Sequence, residues 1–161
     1  MNNMSKKEYI NTIEETFGEL LRPEGFTTED SKHGVFYKKI SDEVFHFIMP
    51  DRSLRMPKYD IKVFPHSPLL DDEFYQKLPD EVGVITNEAS YLSSNGFTMH
   101  QEWYWCKTKE GLVRNFNKKV KPSLIKYALP YLTKFKSIND FNNLKLGKVM
   151  EERLTCLNIN A

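Results

Sequence analysis

Three residues in this chain have the types and spacing for metal-assisted chemistry: Asp51, Asp60 and Lys62. Asp51 follows Pro50, and a short way on comes Asp60-Ile61-Lys62. Two carboxylates held near one another can share a Mg²⁺ ion. A lysine beside them can stabilise charge developing on a phosphate, or help to activate a water. Side chains alternate between the faces of a strand, so Asp60 and Lys62 point the same way. On adjacent strands, Asp51 and Asp60 would face each other across the strand ends, and the chemistry would be cleavage of a phosphodiester.

This set resembles the signature of restriction-type nucleases: Pro-Asp, then an acid, any residue, and Lys. It departs from that signature in two ways. The separation is short, and Asp51 falls at the exit of its strand instead of the entry. Pro79-Asp80 is a second Pro-Asp in the same chain, which shows how readily the pair arises by chance. A surface acid and an edge-strand ion pair account for the same residues with no chemistry.

No other catalytic constellation is visible. His33, His46, His66 and His100 never fall at a metal-ligand spacing, and His100 with Glu102 and Cys106 is the nearest approach to a cluster. No metal site or cofactor is therefore expected. His46 reads as a hydrogen-bonded core histidine. Cys106, within an aromatic strand, reads as an inert thiol. There is no Gly-x-Ser-x-Gly, and the seven glycines are too scattered to cradle a phosphate. Trp103-Tyr104-Trp105 sends both tryptophans to one face, beside Lys107, Lys109 and, further on, Arg114. If that face meets solvent, it forms an aromatic–basic surface suited to a protein hot spot or to stacked single-stranded bases. If the strand is central, both faces are core, and at least one of the tryptophans is expected to be buried.

The elements that must position these groups follow from periodicity. Ser5-Lys6-Lys7-Glu8 is a capping box, after which Tyr9, Ile10, Ile13, Phe17, Leu20 and Leu21 trace an amphipathic helix. Arg22-Pro23 stops it and Gly25 turns the chain. Residues 35–40 and 43–49 alternate at strand period around Ser41-Asp42, which predicts an antiparallel hairpin. Phe45, Phe47 and Met49 share one face, Val44, His46 and Ile48 the other. Both faces are apolar, so this strand should be central. Residues 59–64 form a third strand after an exposed basic loop, 50–57, and residues 101–106 a fourth. Short helices are expected within 72–78 and 87–94. Val113, Phe116, Val120, Leu124, Tyr127, Ala128 and Tyr131 form a helical stripe that Pro122 should kink or break in two. A short helix opens at Ser137, and residues 146–154 could add a final amphipathic turn.

Size and composition bound the class. The 161 residues make one domain, 1–161, with its core at about 5–144 and an extension over 145–161. Eleven Phe and eight Tyr point to an aromatic-rich core. The net charge of +1 excludes nothing, but it is uneven: residues 107–136 are strongly basic and residues 71–88 acidic. Two distant cysteines, no secretory leader and no apolar run of membrane length fit a soluble, cytoplasmic protein with no membrane partner.

Leu20-Leu21-Arg22-Pro23-Glu24-Gly25-Phe26, Phe36-Tyr37-Lys38 and Leu129-Pro130-Tyr131-Leu132 resemble motifs of the bacterial family catalogued as domain of unknown function 4304. The resemblance spans about Ser5 to Leu144. It implies a compact cytosolic α+β domain and carries over no catalytic residues. Small domains of this style often look like immunity proteins, an analogy of fold type alone.

The expectation is an α+β domain with an N-terminal helix, an antiparallel sheet of about four strands and C-terminal helices. Its expected role is that of a non-enzymatic bacterial interaction module of immunity or defence-accessory type. It would bind a protein partner through charge and exposed aromatics, with Trp103, Trp105, Lys107, Lys109 and Arg114 as binding residues. The alternatives are a Mg²⁺-dependent nuclease using Asp51, Asp60 and Lys62, with nucleic acid as partner, and a small-ligand-binding domain with a cavity between sheet and helices.

Overall fold

A computed structural model describes residues 3–28, 34–53, 55–70, 104–143, 152 and 155–157. The elements expected within 72–78 and 87–94 lie outside the described residues, as do Trp103, the acidic stretch 71–88 and most of the 145–161 extension.

The N-terminal helix comprises Lys6–Ile13, a π-helical turn Glu14–Gly18, and Glu19–Leu21. Its capping box is formed in both directions. Ser5 Oγ accepts from the Glu8 backbone N–H at 3.1 Å, and Glu8 Oε2 accepts from that of Ser5 at 3.1 Å. A 3₁₀ turn, Arg22–Glu24, ends it, with Gly25 at φ 94°, where a Cβ would be strained.

The sheet has four antiparallel strands in the order β1-β2-β3-β4: β1 Phe36–Lys39, β2 Phe45–Arg52, β3 Lys58–His66 and β4 Tyr104–Trp105. β2 is internal and buried on both faces, as its double apolar alternation requires. It also runs further than the sequence suggests, so Pro50, Asp51 and Arg52 belong to the strand and not to an exposed loop. Pro50 is tolerated because β1 begins at Phe36, opposite Ile48, and leaves no rung beside it. Arg52 is half-buried: its guanidinium donates to the Met4 carbonyl at 2.6 Å and lies 5.2 Å from the Tyr9 ring centroid.

The C-terminal helix is continuous from residue 109 to 132, through Lys109–Asn115, Phe116–Val120, Lys121–Ser123, Leu124–Ala128 and Leu129–Leu132. Pro122 does not break it. The second and fourth of those segments are π-helical, and their wide turns explain the buried stripe: Leu112, Phe116, Val120, Leu124, Ala128 and Leu132, every fourth residue. At 3.6 residues per turn such a spacing drifts about 40° per step, about 200° over this helix, and would carry Leu132 to the far side. The i→i+5 turns take up the excess and keep the stripe on the sheet. Tyr9, Ile13, Phe17 and Leu21 repeat the pattern around the N-terminal π turn.

Both helices pack on one face of the sheet. Phe17 is the junction, with ring centroids 4.8 Å from Phe116, 6.1 Å from Tyr59 and 6.2 Å from Phe36. A 3₁₀ helix, Ile138–Asn143, closes the described core with Phe141 fully buried. Among the described residues, no helix is long and apolar enough to cross a membrane.

Candidate functional site

The β2–β3 hairpin brings the three metal-type residues together. Asp51 and Asp60 are direct cross-strand partners, and Met49 is the partner of Lys62. Opposed residues share a face, so Asp51, Asp60 and Lys62 all project from the side away from the helices. Two carboxylates placed opposite each other repel, and the diagonal lysine answers that repulsion. Lys62 Nζ donates to Asp51 Oδ2 in an ion pair whose side chains are 24% and 46% exposed. At that exposure the pair stabilises by about 1 kcal/mol at most.

Asp60 is only 1% exposed and sits on an internal strand, so it is neither a surface acid nor a member of an edge-strand pair. The arrangement can present one solvent-facing carboxylate and a second beneath it. Among the described residues, no group of three or more His, Cys, Asp or Glu gathers as a metal site.

The same face carries Trp105 at its open end. Trp105 is the cross-strand partner of Lys58, whereas Tyr104 turns inward onto Tyr59, ring centroids 5.5 Å apart. Trp105 is 54% exposed on the edge strand among the described strands, with Lys58 Nζ 4.3 Å from its ring centroid. Its backbone is held by the C-terminal helix, since Asn115 Nδ2 donates to the Trp105 carbonyl and Asn115 Oδ1 accepts from Tyr59 OH at 3.2 Å.

Of the other residues expected in this patch, Lys107, Lys109 and Arg114 are exposed. Lys109 is tied to Glu15 at 2.9 Å, and Arg114 belongs to the C-terminal helix. Lys58 was not singled out from sequence. Its only signal is the β3–β4 register, which local pattern does not encode.

Among the described residues, His46, His66 and Cys106 are buried. His46 Nε2 donates to the Phe135 carbonyl at 2.7 Å. Burial lowers its pKa, the Phe135 hydrogen bond partly restores it, and nearby Lys38 lowers it further. Burial pushes the Cys106 thiol up despite the Arg52 guanidinium, and an un-ionised thiol is a poor nucleophile. His66 packs edge-on against Phe47, ring centroids 6.1 Å apart. His33 and His100 lie outside the described residues. Compared with known proteins, the chain matches no family model, no curated protein and no solved structure.

Proposed function

We propose that this protein is a non-enzymatic interaction module, of the immunity or defence-accessory kind, that engages an acidic surface on a protein partner. The observation that carries the reading is Trp105. A large aromatic half-exposed on an edge strand, stacked by Lys58 and followed by Lys107, is the anchor-and-charge pairing typical of interface hot spots. The exposed basic residues Arg114, Lys118, Lys119 and Lys121 on the neighbouring helix would steer an acidic partner toward it. The test compares wild-type protein with Trp105→Ala and Lys58→Ala as baits at equal folded concentration. Proteins retained by wild type should be lost from both variants and released by high salt. Identical retention by Trp105→Ala would refute the reading, as would no retained protein together with turnover of a substrate.

The cross-strand pairing of Asp51 with Asp60, and the ion pair of Lys62 with Asp51, support a second reading as a Mg²⁺-dependent nuclease. A rise in melting temperature with millimolar Mg²⁺ that Asp51→Asn abolishes, together with cleavage of a DNA or RNA panel, would favour it. No shift and no cleavage would remove it.

A further inference from the structure

We infer that a second site, on the helix face of the sheet, binds a small amphiphilic carboxylate. A cavity of about 320 Å³ opens between the β1–β2 edge and the end of the C-terminal helix. This lies at the small end of the range of about 300–1,000 Å³ typical of ligand pockets. Its walls are apolar, formed by Phe26, Ile40, Leu129 and Leu132. Two lysines, Lys38 from β1 and Lys136 beyond the helix, also line it, with a single carboxylate, Glu24. Among the described residues, neither lysine is in an ion pair. The nearby Asp140 carboxylate is taken up by the backbone N–H groups of Lys136 and Ser137, at 2.8 and 2.9 Å.

Gly25 helps to place Lys38. A Cβ there would come within 3.2 Å of Lys38 Cε, so the glycine leaves the lysine stem room to lie against the turn. His46 lines the same cavity, and because burial, and to a lesser degree Lys38, lower its pKa against the opposing effect of the Phe135 hydrogen bond, it adds little positive charge near pH 7. The cavity lining itself therefore carries two lysines against one carboxylate over an apolar floor, with the Asp140 carboxylate beside Lys136 but outside the lining. That complementarity fits a ligand with one carboxylate and a hydrocarbon body. A cation would meet two lysines, and a neutral lipid would leave them unanswered.

The test is calorimetric titration of the full chain at pH 7.5 with octanoate, octanol and octylammonium. Octanoate should bind saturably and about tenfold more tightly than octylammonium, with octanol between them. Lys38→Met and Lys136→Met should each weaken octanoate by about two- to fivefold, and Glu24→Gln should tighten it by a similar factor. Thr133→Phe places a ring at the cavity from an exposed position and should abolish binding without disturbing the core. Unsaturable heats with octanoate, equal affinity for octylammonium, or wild-type affinity in Thr133→Phe would each overturn the assignment.

Discussion

Replacing Phe17 by alanine tests the claim that π turns hold an every-fourth-residue stripe on the sheet. Phe17 is fully buried, and three ring centroids lie within 6.2 Å of its own, on β1, β3 and the C-terminal helix. Its deletion leaves a cavity bounded by three elements that cannot all collapse into it. The cost should fall at the upper end of the about 3–5 kcal/mol typical of buried Phe→Ala changes. That is a large share of the about 5–15 kcal/mol that holds a domain folded. At about 2–4 °C per kcal/mol for a chain of this size, melting should drop by about 10–15 °C. Ile10→Ala, half-buried and off the stripe, is the control and should cost about 1 kcal/mol. Urea unfolding followed by far-UV circular dichroism measures both, with an unchanged slope confirming a common unfolded state. If Phe17→Ala costs no more than Ile10→Ala, the helix does not present the stripe described.

Stability should also depend on pH through His46. Its folded pKa is depressed, so below the ordinary histidine value of about 6.5 the unfolded chain takes up a proton that the folded chain resists, and stability falls with pH. Lys38, Lys136 and Glu24 share the cavity with it. His46→Gln, which keeps an N–H for Phe135, should shrink the difference in melting temperature between pH 7.5 and pH 5.5; an unchanged difference would show that the ring does not titrate this way. Gly25→Ala should cost about 1 kcal/mol or more, since it forces a methyl group to φ 94° and against Lys38. A neutral result in chemical denaturation would contradict that backbone conformation.

Much of the architecture was legible in short-range pattern. Ser5 and Glu8 announce the first helix, and Gly25 its end. The two apolar faces of Phe45 to Met49 place that strand inside the sheet, because a strand with no polar face must be covered twice. The four-residue spacing of Leu112 to Leu132 was also written in the chain and implies turns wider than an α-helix. Read as ordinary amphipathicity, it selected Val113, Tyr127 and Tyr131 in place of the fully buried Leu112 and Leu132, and it made Pro122 look like a break.

The candidate sites divide along the same line. Asp51 and Asp60 flank one hairpin, so their confrontation could be anticipated from spacing, but the depth of Asp60 could not, because burial depends on what packs on both sides of β3. Whether Trp105 is core or surface turned on the position of β4 at the edge and on a register that sets Lys58 beneath its ring. The cavity at Lys38 and His46 is built from segments about a hundred residues apart, and no local window contains it. By itself, the amino-acid sequence determined the helices, the strands and the faces they bury, since these follow from periodicity and capping within a few residues. Only the tertiary structure decided which polar groups meet, because their separations are set by strand register and helix packing between distant parts of the chain.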